Sequence, residues 1–317
     1  LRPQGSTPAR TATLEFWRIG TELAHHFECR LDSAPFAMCT SPMNYTDLAP
    51  GSHRVEVRAV DALGNSSVIE TADWTVTDNI QTVALYHFDS ATGELNDSSY
   101  YSGTANPNNL INVSSTLVNP GRFEQGRKFV SSSRQFLTTP HKISFESLGD
   151  QLAVEGFFLF SSLPGNGKQM ALISKSSAIA GGFGWELVLR RTSSSEKVLV
   201  FRASIDGGNT MKEAVSAPLA INVGAYYHVL ATFSGGRTES GSVRLYLNGA
   251  RVSATEFINS NGTIARIATP TAPLYIGRNA TDLAYLNGRV DEVCIDNRVN
   301  KYNPNGFPMP ASTCSPQ

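Results

Sequence analysis

Ser242–Thr255 reads SVRLYLNGARVSAT, and the fold class follows from it. Val243, Leu245 and Leu247 alternate with Arg244, Tyr246 and Asn248, the period-two pattern of a strand with one buried face. Asn248-Gly249 supplies two residues that tolerate positive φ, as a type I′ turn requires, so Arg251–Thr255 is expected to return as the partner strand. Outward from this hairpin the same alternation recurs at Thr82–Phe88, Arg134–Thr139, Leu152–Phe160, Met170–Lys175, Trp185–Arg191, Lys197–Ile205, Tyr226–Phe233, Pro273–Gly277 and Gly288–Asn297. No stretch carries a convincing helical period. LAVEGFFLF, Leu152–Phe160, is apolar on both faces and belongs in the middle of a sandwich. The expectation is an all-β jelly roll or a related double sheet.

A shorter series precedes it. Ala12, Leu14 and Phe16 alternate, as do Phe27, Cys29 and Leu31, then Val55, Val57 and Ala59, then Ala72, Trp74 and Val76. Turn residues such as Ser41-Pro42 and Ala49-Pro50-Gly51 separate them. Residues 11–79 therefore read as a small β-sandwich, with residues 1–10 as an extended lead-in and almost no linker before the domain at 80–300. Residues 301–317 hold four prolines and should lie extended over the surface, pinned if Cys294 bridges Cys314. The chain opens on Leu without a leader, so it reads as a portion of a longer protein, with the larger domain at its C-terminal tip.

Composition narrows the function. Lys and Arg number 26 against 27 Asp and Glu, net charge is −1, and no basic stripe forms, which argues against nucleic-acid binding. No apolar run approaches the roughly 18 residues a spanning helix needs. Four cysteines, Cys29, Cys39, Cys294 and Cys314, lack the C-x-x-C pairs of a zinc site; two local disulfides in an oxidising compartment and four buried thiols are the alternatives.

A glycoside hydrolase would need two carboxylates facing one groove at about 5–9.5 Å. Only Arg289–Asn297 is rich in acids; there Glu292 and Asp296 share a face with Cys294 between them, and Asp291 points the other way, so no catalytic pair is expected. The six histidines are scattered and no nucleophile motif accompanies them. Tyr100-Tyr101, the stretch Asn106-Pro107-Asn108-Asn109 and Arg278-Asn279 carry the groups of a sugar site: aromatic faces for C–H surfaces, amides and a guanidinium for hydroxyls. Each also suits an ordinary turn. Trp185 alternates with Leu187 and Leu189 and is expected in the core; Trp17 and Trp74 are expected to pack within the first domain or against its neighbour.

FECRLDSAPFAMCTSP (27–42), then YTDLAPGSHRVEVRAVDALGNSS and ADWTVTD, resemble the bacterial immunoglobulin-like repeats of large surface proteins. That resemblance implies a spacer and a Cys29–Cys39 bridge. ALYHFD, GRKFVSSSRQFLTTPHKISF, VEGFFLF, GGFGWELVL, YYHVLATFSGG, VRLYLNGARV, PLYIGRN and GRVDEVCIDNRV, in this order over residues 80–300, resemble laminin G-like domains of concanavalin A-like fold. The resemblance implies a structural Ca²⁺ near a sheet edge, with Asp89, Asp97 and Asp291 in the positions of the family's acids. The family's D-x-S-G-N-G turn is here Asp97–Gly103 with Tyr100 and Tyr101 inserted; capping of turns is the competing role for these acids. The function expected is an extracellular or bacterial cell-surface adhesion module, not an enzyme, that recognises a glycan or protein on another surface. A stalk-capping or self-assembling domain, with a homotrimer among the options, is the alternative.

Overall fold

The computed structural model describes residues 5–7, 11–17, 24–45, 48, 51–76, 82–89, 95–99, 107–235, 243–258, 266–299 and 302–309, and the chain divides into two units, 1–79 and 80–317. Tyr100, Tyr101, Asn106 and Cys314 lie outside the described residues.

The first unit contains β1 (Gly5–Thr7), β2 (Ala12–Leu14), β3 (Ala24–Leu31), β4 (Ala37–Cys39), β5 (Met43–Tyr45), β6 (Gly51–Asp61) and β7 (Glu70–Val76). One sheet runs β1-β7-β6-β3-β4, and β2 pairs with β5 apart from it. Leu14, Val55, Ala72, Trp74 and Val76 form its core. A Cys29–Cys39 disulfide ties β3 to β4, as the resemblance implied. Two expectations change. Gly5–Thr7 is not a lead-in but a strand of the sheet, paired in parallel with β7 so that Gly5 stands opposite Trp74. Trp17 is 70% exposed.

The second unit contains β8 (Thr82–Tyr86), β9 (Ile111–Val113), β10 (Thr116–Val118), β11 (Gly126–Phe129), β12 (Phe136–Thr139), β13 (Gln151–Phe160), β14 (Gln169–Ser176), β15 (Phe183–Arg191), β16 (Lys197–Ser204), β17 (Met211–Ser216), β18 (Tyr226–Ser234), β19 (Val243–Leu247), β20 (Ala250–Val252), β21 (Ala254–Ile258), β22 (Leu274–Ile276) and β23 (Gly288–Asp296). One sheet runs β10-β11-β23-β13-β18-β19-β20, with β8 also on β23; the other runs β21-β17-β16-β15-β14-β22-β12-β9. Alternate residues of both sheets meet in one core: Val154, Phe158 and Phe160 of β13 and Val290, Val293 and Ile295 of β23 on one side, Trp185, Leu187, Leu189, Leu199 and Phe201 on the other. Each such side chain stabilises the sandwich by about 1.5–3 kcal/mol on burial.

The hairpin turns where expected, with φ of 52° at Asn248 and 81° at Gly249. A Cβ at Gly249 would lie 2.1 Å from the Phe307 carbonyl oxygen, so the turn also accommodates the C-terminal segment. The return strand is shorter than its alternation implies. β20 ends at Val252, and Ala254–Ile258 crosses to pair with β17 of the other sheet. Tyr246, expected at the surface, is 1% exposed because Tyr302 and Phe307 pack over it. That segment covers the outer face of the first sheet. Among the described residues the outer face of the second is only partly covered, where Ala284 of the loop after β22 packs on Ala171, Val188, Val198 and Val200.

Candidate functional site

Among the polar clusters of the described residues in the second unit, two bear on function. The first lies on β23. Asp291 stands opposite Phe157 and Cys294 opposite Glu155, so Glu292 and Val293 together face Gly156 alone, and Glu292 adopts φ of 50°. One extra residue in a strand is a β-bulge, and it re-aims side chains. The expected placing of Asp291 and Glu292 on opposite faces fails for this reason. The bulge also divides the flank of β23: β11 pairs with Gly288–Val290, and β8 pairs with the strand from Val293 onward.

His87 and Asp89, which follow β8, enter this seam. Ligand atoms of His87, Asp89 and Glu292 all lie within 4.8 Å of one another. His87 Nδ1 is 3.0 Å from each oxygen of the Glu292 carboxylate, which holds the imidazole above its ordinary range against the effect of burial. Asp89 Oδ1 accepts the Gln125 N–H at 3.0 Å. Asp291 is fully buried, and its Oδ2 accepts the N–H groups of Arg122 at 2.6 Å and Phe123 at 3.0 Å. Among the described residues its Oδ1 has no hydrogen-bond partner, and neither does the buried Oε1 of Gln125. Burial pushes Asp291 up to about 7 despite the two N–H groups, with the charges of Glu292 and Asp89 adding to it. Two orphaned buried oxygens beside convergent carboxylates fit a bound cation. Asp97 does not join them. It accepts the N–H groups of Leu85 at 3.0 Å, Ser99 at 2.9 Å and Asn108 at 3.2 Å, and the Ser99 hydroxyl at 2.9 Å, which is the turn-capping role.

The second region is the open outer face of the second sheet. Register sets Glu186 of β15 opposite Arg202 of β16, and Arg202 opposite Glu213 of β17. The Arg202 guanidinium donates to both carboxylates, and its Nη2 donates to Gln169 Oε1 at 3.2 Å. Arg190 forks onto Glu213 at 3.2 and 2.9 Å. Glu186 is 1% exposed; burial raises its pKa, and Arg202 and Asn279 oppose that. The ladder floors two depressions, of about 520 and 950 Å³, which share Arg202 and Thr281 as lining. Lys168, Gln169, Arg190 and Tyr285 also line the larger one. At the β22 end the Arg278 guanidinium carbon lies 4.6 Å from the ring centres of Phe136 and Tyr275 and 5.8 Å from that of Tyr285.

Of the expected sugar contacts that lie among the described residues, Arg278 alone stands with its side chain at this face. Asn279 is fully buried and donates to Glu186 at 2.8 Å, so it supports the ladder. Asn108 is also fully buried, between the Val83 carbonyl and the Ser144 hydroxyl. Asn109 accepts the Asp97 N–H. Asp296 of the tested acid pair is held by Arg298 and Thr82. Sequence reasoning missed Glu186, Arg202 and Glu213. For Glu186 the signal was there, since it stands between Trp185 and Leu187 on a strand whose opposite face is apolar.

The profile of the concanavalin A-like lectin/glucanases superfamily matches residues 132–301, more than half of the chain. The chain belongs to this superfamily. No curated protein sequence matches it. Among solved structures, the binding domain of Paraclostridial Mosquitocidal Protein 1 is similar at 15% identity and a TM-score of 0.48, covering 70% of this chain and 49% of that one. The botulinum neurotoxin serotype D binding domain is similar at 11% and 0.49, covering 71% and 50%. A heptameric SAP-like pentraxin from Limulus polyphemus is similar at 16% and 0.32, covering 46% and 64%. The chain thus spans about half the length of the two toxin domains. No helix among the described residues of this superfamily member is long and apolar enough to cross a membrane.

Proposed function

We propose that the chain is an extracellular binding module whose concanavalin A-like unit takes a glycan on the outer face of its second sheet. The first unit, with its bridged β3 and β4, serves as an immunoglobulin-like spacer. One observation carries the reading: two depressions meet over a floor of fixed donors and acceptors. A sugar presents hydroxyls that donate and accept together with apolar C–H faces, so its site needs polar groups already ordered and an aromatic surface at hand. Gln169, Arg190, Arg202 and Glu213 hold one another in place, and Tyr285 lines the same hollow.

Calcium belongs to this proposal as a structural ion. Asp89, Asp291 and Glu292 with the Gln125 amide oxygen would hold it, and it would supply the positive charge that this seam needs to fix the 121–125 loop against β23.

The test is a glycan array probed with the full chain, in calcium and again in chelator, beside Thr281→Trp. Thr281 is exposed and lines both depressions without entering the ladder, so the indole fills the meeting point while the fold stands. Binding to a related set of sugars is expected, reduced at least tenfold in the variant. Equal binding by both proteins moves the site off this face, and a blank array removes the glycan.

A further inference from the structure

We propose that the ligand of this face carries an anionic group, a carboxylate or a sulfate ester, seated on Arg278; the proposal rests on the glycan reading above and narrows its chemistry. Arg278 is anchored at both ends of its length. Its carbonyl oxygen accepts the Ser174 hydroxyl at 2.9 Å, and its Nε donates to the Asn279 carbonyl at 3.1 Å. Phe136 from β12, Tyr275 from β22 and Tyr285 from the following loop surround the guanidinium. Aromatic rings engage the flat face of a guanidinium and leave its edge free, so the terminal N–H groups keep their in-plane directions for an acceptor.

What the site lacks is a countercharge. Among the described residues no carboxylate pairs with Arg278, whereas Arg190 and Arg298 each hold one and Arg202 holds two. Lys168, on the lining of the larger depression, likewise has no ion pair among the described residues. Tyr285 joins the two, as a wall of that depression and one of the three rings at Arg278. An oriented fork without an acid matches two coplanar oxygens, and both a carboxylate and a sulfate present them. A neutral hydroxyl uses one donor and none of the charge.

The full chain is titrated calorimetrically with three saccharides: hyaluronan oligomers, which carry carboxylates but no sulfate; keratan sulfate oligomers, which carry sulfate but no carboxylate; and desulfated keratan, which carries neither. At least one charged probe is expected to bind tenfold or more tighter than the neutral one, with the margin shrinking as salt rises. Whichever probe gains names the source of the anion. Arg278→Gln should abolish the margin, so that charged and neutral probes bind the variant alike. Arg278→Lys keeps the charge on a folded protein but cannot fork, and should lose most of the margin. Equal affinity for all three probes, or a margin that survives both substitutions, overturns the proposal. Neutral binding that persists in those cases leaves the glycan reading standing. A wild-type chain that binds none of the three overturns both.

Discussion

The ladder on the second sheet and the seam on β23 bury the same kind of group and treat it in opposite ways. Glu186 sits in the ladder with a guanidinium on one oxygen and an amide on the other. Asp291 sits in the seam with two N–H groups on one oxygen and nothing on the other, beside further acids. A carboxylate leaving water needs both hydrogen bonds and opposite charge. The ladder draws its charge from a neighbouring strand through register, and a further hydrogen bond from Asn279 of the loop after β22. The seam has hydrogen bonds from a loop, and its imidazole, His87, sits on Glu292 rather than on Asp291. The ladder should therefore behave as part of the folded scaffold, and the seam as a place where stability depends on solution conditions.

Removing the arginine tests the ladder and has the largest expected effect. Arg202→Met leaves Glu186 buried without its cation and should destabilise the second unit by about 3–5 kcal/mol, read from urea unfolding. Adding Glu186→Leu should recover most of the loss, because the charge goes with its partner. A single variant that loses under about 1 kcal/mol would show Glu186 to be protonated, and the ladder to be no ion pair.

For the seam the corresponding experiment changes the solvent. Calcium at a hundred times its dissociation constant should stabilise the unit by about 2.7 kcal/mol, seen as a higher melting temperature than in chelator. Asp291→Asn should abolish the difference while changing little in chelator, since the acid it removes is the one with an orphaned oxygen. Identical melting in calcium and chelator for the wild-type chain would take the ion out of the seam.

This contrast also marks what could be read in advance. Alternation around Asn248-Gly249 and through Leu152–Phe160 is dictated by burial on one or both faces, and the sandwich follows from it. The ladder was legible in principle, because Glu186 between Trp185 and Leu187 must face away from the core. Its partners were not, since register between β15, β16 and β17 is a long-range fact. The seam was half legible. Asp89 and Asp291 were placed by resemblance, but nothing in VDEV announces that Glu292 is an extra residue, and His87 enters only because the bulge lets β8 and β11 share one flank of β23. Asp97 looked like its equal in sequence and was claimed by local N–H groups.

Lys175 adds a third way of keeping a charge inside, and it gives the sharpest test. It is 1% exposed, and its Nζ donates to the carbonyls of Pro270 at 2.8 Å and Ala272 at 2.7 Å, 3.1 Å from His141 Nδ1. Carbonyls are dipoles rather than opposite charges, so burial lowers this amine from the ordinary 10.5 to about 7, with Glu146 opposing. The unfolded chain holds the proton up to the ordinary value. Between pH 7 and about 10 it therefore binds more protons than the folded chain, and the unfolding free energy should rise with pH by about 1.4 kcal/mol per unit, with no slope from this group below 7. Lys175→Met should flatten the rise between pH 7.5 and 9.5. Parallel curves for the two proteins would mean that the carbonyls hold a full ammonium, as Arg202 holds Glu186, and that the chain tolerates a buried charge in two ways rather than three.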